Sequence, residues 1–122
     1  MSYSLIDTPN VPFLERFLDL ATFRQTLVAS NLANIDTPGY QTRDVAFQGE
    51  LAYASFSNFQ DELRPFVRSV QGLIQRPDGN NVSLDREGLL LAQTQLQYKA
   101  AIELIRAEFR TIHGAINDGA ES

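Results

Sequence analysis

Asp36-Thr37-Pro38-Gly39 spells the tetrapeptide with which a GTPase senses a γ-phosphate and its magnesium, so it is the first place to look for chemistry. Sensing a phosphate requires something to hold it: a cradle of the form G-x-x-x-x-G-K-[ST], whose lysine reaches the β- and γ-phosphates. The single lysine, Lys99, is followed by Ala100, so no such cradle can form. Acyl transfer by a Ser-His-Asp arrangement would have to recruit His113, the sole histidine, which stands beside Ile112 in the last turns of a helical pattern. A solvated or interface histidine is the better account. Asp78-Gly79-Asn80-Asn81, with Asp85 and Glu87 behind it, superficially has the oxygens of a calcium loop. Its glycine, however, comes second where such a loop needs it sixth, and a tight turn before a capped helix is the simpler reading. A chain without cysteine has no thiolate nucleophile, disulfide or thiolate metal site. No catalytic, cofactor-binding or metal-binding residue is expected, and the chain reads as a non-enzyme.

The bulk properties narrow the field further. The chain has 122 residues, 43% of them hydrophobic and 10% aromatic, enough to drive folding or assembly of one modest domain spanning residues 1–122. Its 15 acidic residues leave a formal net charge of -5, whereas a duplex-binding protein presents a basic face that releases phosphate counterions. Nucleic acid is therefore not an expected partner. The longest purely apolar run, Leu89 to Ala92, falls far short of the ~20 residues that span a bilayer. The first residues, MSYSLIDTPN, lack a basic region and an apolar segment, so neither Sec-type export nor membrane insertion is expected.

Any functional residues must be positioned by two long helices. Pro12 suits a first helical position, and neither Gly nor Pro follows until Thr37-Pro38-Gly39-Tyr40. This predicts an N-terminal helix over 10–36. One heptad row runs through Leu14, Leu18, Ala21, Gln25, Val28, Leu32 and Ile35; the adjoining row begins with Phe13, Phe17 and Leu20 and turns polar at Arg24, Asn31 and Asn34. Pro38 disfavours helix at Thr37, and Gly39 can take positive φ at the second central position of a type II turn.

Residues 37–82 read as a turn and irregular middle. Phe47 to Phe59 has room for a short helix, and Phe66 to Gln75 reads as extended, although its apolar spacing also fits a helix. A second long helix is expected over 83–117, with Ser83 or Asp85 as N-cap and Asn117 with Gly119 as the stop, leaving 118–122 as a tail. Its seam follows alternating spacings of four and three through Leu91, Tyr98, Ile102, Ile105, Phe109, Ile112 and Ile116. The expected fold is mainly α: two long amphipathic terminal helices packed as an antiparallel, coiled-coil-like hairpin around a short irregular middle.

A two-helix hairpin cannot cover both flanks of either seam. Neighbouring subunits are thus expected to complete the burial, with the terminal helices ordering fully only in an assembly. Asn31 and Asn34 are poor helix formers on a face that is apolar two turns earlier. They either cap the helix end or hydrogen-bond to the turn that follows or to a neighbouring subunit.

Asn31-Leu32-Ala33-Asn34-Ile35-Asp36-Thr37-Pro38-Gly39-Tyr40 resembles the N-x-A-N-x-x-T-P-G-Y signature of the flagellar rod and hook family, with Asp36 at a position that varies in that signature. Arg43-Asp44-Val45-Ala46-Phe47 looks like its proximal rod members, and so does a second block, Asp78 to Glu87 with Gln95-Leu96-Gln97-Tyr98. The resemblance implies a structural subunit of the bacterial flagellar basal body, in the periplasm-spanning rod. Its Asn31, Ala33, Asn34, Thr37, Pro38, Gly39 and Tyr40 would serve as motif and assembly residues. It implies as partners like subunits, FlgC-type rod subunits and a FliE-type adaptor, with delivery through the flagellar type III export apparatus and no cleaved signal peptide. No family motif matches residues 49–75, and no role is carried over to them. The rival reading is a soluble helical adaptor or chaperone-like binding module using the same seams.

Overall fold

The computed structural model describes residues 10–56 and 64–121. Its first element, α1, runs from Asn10 to Ala33 and buries Val11, Leu14, Arg16, Leu20, Ala21, Val28 and Asn31, more than a single stripe, because the middle segment packs on it through Val45 and Phe47 as well. It stops three residues short of the expected Asp36. The amides of Ile35 and Thr37 bond back to Leu32 and Asn34 at 3.2 and 3.0 Å, three residues away instead of four, so the last turn tightens and leaves the α-helical path. Thr37 to Tyr40 then closes as the expected type II turn: the Tyr40 amide donates to the Thr37 carbonyl at 3.2 Å, and Gly39 has φ of 77°.

The middle of the chain is short and regular only in pieces. Strand β1, Arg43–Val45, pairs antiparallel with β2, Val67–Ser69, with Asp44 opposite Arg68. Helix α2, Phe47–Phe56, lies between them in sequence. The short helix expected here extends to Phe59, but residues 57–63 lie outside the described part. Of the extended stretch expected over Phe66 to Gln75, only β2 is a strand. The Phe66 amide donates to Glu50 Oε1 at 3.1 Å, which ties the start of that stretch to α2.

Helix α3 runs from Leu84 to Glu121. Ser83 is its N-cap, with Oγ accepting from the Arg86 amide at 3.2 Å, and Asp85 and Glu87 lie in the first turn, where the helix dipole favours them. The expected stop at Asn117 does not occur. Gly119 takes no positive φ, so it continues the helix, and Asn117 spends its side chain on His113 Nε2 at 3.2 Å.

The two long helices pack against each other antiparallel. Asn10 Nδ2 donates to Glu108 Oε1 at 2.9 Å at one end of the pair, and Arg24 and Arg86 meet on Asp44 toward the other. The α3 residues buried along the pairing are Glu87, Leu90, Thr94 and Ala101, a row offset by one position from the expected seam. Of that seam, Leu91, Ile102, Ile105 and Ile112 are half-buried, while Tyr98, Phe109 and Ile116 stay exposed. On α1, Leu14 and Val28 are buried, and Leu18 and Leu32 half-buried. Small side chains at Ala21, Thr94 and Ala101 let the helix backbones approach, which turns the bulkier row to the flank.

The apolar core lies where α1 meets the start of the middle segment. Leu20, Ala21, Val45 and Phe47 are buried together, with Phe17, Phe23, Leu27 and Leu51 packed around them. The Phe17 and Phe47 rings meet edge to face at 5.3 Å between centroids. This cluster fixes β1 and α2 to the side of α1, and so places the turn between them.

Candidate functional site

Asn31 is the centre of a clasp between the end of α1 and the segments that follow it. Only 1% exposed, it treats Arg43 as a strand neighbour would: Nδ2 donates to the Arg43 carbonyl at 2.9 Å, and Oδ1 accepts from the Arg43 amide at 3.1 Å. Oδ1 also accepts from the Tyr40 hydroxyl at 2.9 Å. Buried polar groups need such partners, and here one side chain satisfies both backbone groups of a residue in β1. The poor helix former thus serves to join a helix to a strand.

Asn34 works one turn later. Its Nδ2 donates to the Ser30 carbonyl at 2.8 Å, and its Oδ1 accepts from the Thr37 hydroxyl at 3.0 Å, locking the turn to the helix end. Ala33 is the last helical residue, and Pro38 presets the turn from an exposed position.

The Asp78-Gly79-Asn80-Asn81 loop docks onto this turn. Fully buried Asn80 donates from Nδ2 to the carbonyls of Asn34 and Thr37, each at 2.9 Å, while its Oδ1 accepts from the Val82 amide at 2.8 Å. Asn81 Oδ1 accepts from the Thr42 amide at 2.7 Å, and Asn81 Nδ2 donates to Gln41 Oε1 at 2.9 Å. Gln41 Nε2 returns a bond to the Gly79 carbonyl at 2.7 Å, and the Gly39 amide donates to the Asp78 carbonyl at 2.9 Å. Arg76 reaches the Ile35 carbonyl, one of the acceptors left at the helix end. The approach is close enough that a Cβ on Gly79, where φ is 89°, would stand 3.2 Å from the Gly39 Cα.

Beside the clasp lies a charged network. Arg24 grips Asp44 with Nε and Nη2 at 3.1 and 3.0 Å, and Arg86 Nη2 reaches the same carboxylate at 2.7 Å. Arg86 Nη1 also pairs with buried Glu87 Oε1 at 2.8 Å. Burial works against the Asp44 charge, but the Arg24 hydrogen bond, the Val45 amide, the Arg24 charge and the Arg86 hydrogen bond together outweigh it. Its carboxyl is held below the usual value near 3.8. Arg24 also stands 5.7 Å from the Phe47 ring centroid, so one side chain joins α1, β1 and α2. A cleft of about 480 Å³ opens here, lined by Arg24, Asp44, Arg68, Arg86, Gln93 and Gln97 among others.

The structure therefore brings Asn31, Asn34, Thr37, Gly39 and Tyr40 into one clasp. The apolar row of α3 is not part of it. Sequence reasoning missed Gln41, Asn80 and Asn81 as its other half, and Arg24, Asp44 and Arg86 as the network beside it. A signal existed for some of them: Arg24 interrupts an apolar row, and Asn80 and Asn81 fall in the second resemblance block. The groups in the clasp are turned on one another and suit holding, not proton transfer. Among the described residues, no cluster of His, Asp or Glu could hold a metal ion, and no helix is long and apolar enough to cross a membrane.

Residues 21–41, from mid α1 through the turn, match the family described as flagella basal body rod protein. The chain is 32% identical over 120 residues to the flagellar basal body rod protein FlgB of Bacillus subtilis (strain 168), covering 87% of this chain and 92% of that protein. It is 30% identical over 127 residues to FlgB of Escherichia coli (strain K12), covering 88% and 92%. To FlgB of Borreliella burgdorferi the figures are 26% over 125 residues, 85% and 93%. The relatives offer no support for the adaptor reading.

Proposed function

This chain belongs to the FlgB family of flagellar basal body rod proteins and is a structural rod subunit, and we propose that it assembles through the flanks of its terminal helices. The observation that carries the proposal is the apolar surface that α1 leaves uncovered on α3. Leu89 and Leu96 are exposed on the side turned away from the row buried against α1, Leu104 is exposed on its flank, and Phe109 and Ile116 are exposed beyond Glu108, the residue that Asn10 at the start of α1 reaches. Exposed apolar surface of this extent along one element is what an interaction face requires. A groove of about 350 Å³ between Phe13, Leu14, Leu104 and Ala107 adds space for a neighbour's side chains.

The rows Leu14, Leu18, Val28, Leu32 on α1 and Leu91, Tyr98, Ile102, Ile105, Phe109, Ile112, Ile116 on α3 divide this work between the hairpin and its neighbours. The clasp sets the angle at which α1 leaves the ribbon, so that the outward faces of both helices hold a fixed relation. The mechanism is mechanical and not enzymatic: stiff helix packing transmits torque, and ordering of the terminal helices completes as neighbours cover them. On the resemblance, the neighbours are like subunits, FlgC-type rod subunits and a FliE-type adaptor, reached through the type III export apparatus.

Replacing the gene in a motile host tests the reading. Deletion stops basal-body assembly beyond the membrane ring, and this chain restores it; unaltered motility on deletion refutes a rod role. Circular dichroism tests the ordering: high helix content melting cooperatively in dilute chain would overturn completion by neighbours.

A further inference from the structure

The two edges of the ribbon made by β1 and β2 are finished differently. Asp44 stands opposite Arg68, and one step further along the same register the Val70 amide donates to the Thr42 carbonyl at 3.0 Å. Backbone groups alternate sides along an antiparallel strand, so Asp44 and Arg68 also face each other, while the groups of Arg43, Val45, Val67 and Ser69 point away from the ribbon. On the β1 side these outward groups are taken. Asn31 holds both of them at Arg43, and Asp44 Oδ1 accepts from the Val45 amide at 2.7 Å. On the β2 side all three residues are exposed, and among the described residues nothing meets the outward amides and carbonyls of Val67 and Ser69. An edge with bare N-H and C=O groups is a template for a further strand.

Charge selects the kind of strand. Residues 64–77 carry Arg64, Arg68 and Arg76 and no carboxylate, in a chain whose formal net charge is -5. Arg68 sits at the middle of β2 and, with Ser69 and Val70, lines a hollow of about 340 Å³. The one carboxylate in the wall of that hollow, Asp44, is already bonded by Arg24 and Arg86. A guanidinium beside bare backbone groups fits a strand whose carboxylates flank it. A second β2 does not fit, because antiparallel pairing about the strand centre would set Arg68 against Arg68, and like charges directly opposite each other weaken a sheet. Nor does another part of this chain. Among the described residues, every carboxylate lies in a helix, in β1 or in the clasp, and none on a free extended segment.

We infer that the outer edge of β2, Val67–Ser69, is a strand-addition site that takes an extended, acidic segment of a different protein. Backbone bonds to Val67 and Ser69 hold the segment in register, and Arg68 selects its charge. Phe66, 74% exposed just before β2, gives the segment an apolar contact at one end. The edge is separate from the flanks of α1 and α3, so this site stands or falls independently of assembly through those helices.

Two capped peptides probe the edge on the purified full chain, one alternating threonine with glutamate and the other threonine with lysine. Amide hydrogen exchange is followed with each peptide in excess. The acidic peptide is expected to slow exchange at Val67 and Ser69 by roughly tenfold once its concentration exceeds its Kd by that factor. Arg68 and Val70, whose amides already face β1, change less, and the basic peptide changes nothing. No slowing at Val67 and Ser69 overturns the site, and equal effects of the two peptides overturn its charge selection. Ser69→Pro removes an outward N-H and leaves the ladder to β1 intact, so it should weaken the acidic peptide by roughly tenfold. Arg68→Glu should transfer the preference to the basic peptide. Unchanged binding by either variant overturns the proposal, as does a dimer of the chain that Ser69→Pro abolishes, since a second copy would then be the occupant. Should either variant fail to fold, exchange in the unsubstituted chain decides.

Discussion

Asn31 holds Arg43 by both of its backbone polar groups, with Nδ2 2.9 Å from the carbonyl oxygen and Oδ1 3.1 Å from the amide nitrogen. One side chain at the end of α1 thereby does what a neighbouring strand would do for β1. Asn31→Ala leaves these groups and the Tyr40 hydroxyl without their partner in a site closed to solvent. The expected cost is about 2 to 4 kcal/mol. Amide hydrogen exchange at Arg43 checks it, since protection there falls by far more than at Leu20.

Two glycines of the clasp differ in what a methyl group would meet. Both have positive φ, but nothing lies within 4 Å of a Cβ on Gly39, whereas a Cβ on Gly79 would stand 3.2 Å from the Gly39 Cα. Gly39→Ala is expected to cost about 1 kcal/mol, from backbone strain alone. Gly79→Ala adds a contact with backbone that can yield only by moving the loop, for about 2 to 3 kcal/mol in all. Urea denaturation of the two variants side by side tests the order, and equal costs would refute the close approach as its cause.

The arginines on Asp44 act as a unit. Arg24→Ala removes the two-point grip on the carboxylate and the cation over Phe47, and leaves Asp44 to Arg86. A destabilisation of about 1 to 3 kcal/mol is expected, below that of a fully buried pair because the second arginine remains. A double-mutant cycle with Asp44→Asn should give a coupling of the same order; strict additivity would mean the pair contributes nothing.

The depressed Asp44 pKa fixes the sign of one pH dependence. With its carboxyl held below the usual 3.8, the folded chain binds this proton less readily than the unfolded chain. The contribution is complete above about pH 5 and is lost as pH falls through 3.8 toward the folded value. Stability of the unsubstituted chain therefore falls with acid across this window, and Asp44→Asn, less stable at neutral pH, shows a shallower fall. Acid titration at fixed urea measures the difference in slope.

Phe109 and Ile116 test the division between folding and assembly. At 47% and 45% exposure each leaves nearly half of its surface uncovered within the chain. Phe109→Ser with Ile116→Ser should lower the stability of the purified chain by about 2 kcal/mol in total, roughly half the cost of two fully buried side chains. Rod incorporation should nevertheless fail. A chain that loses stability heavily while assembling normally would place these residues in the fold instead.

Much of this architecture was open to reading from the sequence because it depends on residues close together in the chain. The unbroken stretch after Pro12 and the cap at Ser83 specify helices through local geometry and period. Pro38-Gly39 specifies its turn through φ preferences alone. What the periodicity of α3 expresses is how much apolar surface the helix carries, not which row meets α1. That choice fell to Glu87, Leu90, Thr94 and Ala101, since small side chains at the crossing and a glutamate paired with Arg86 fit the inner row, and the bulkier row was turned outward. The clasp is the clearest case. Asn34 and Asn80 stand 46 residues apart, and a lone asparagine carries no sign of its partner. Only folding brings together a donor and the carbonyl it satisfies, because a hydrogen bond depends on ångström distances that chain order does not encode.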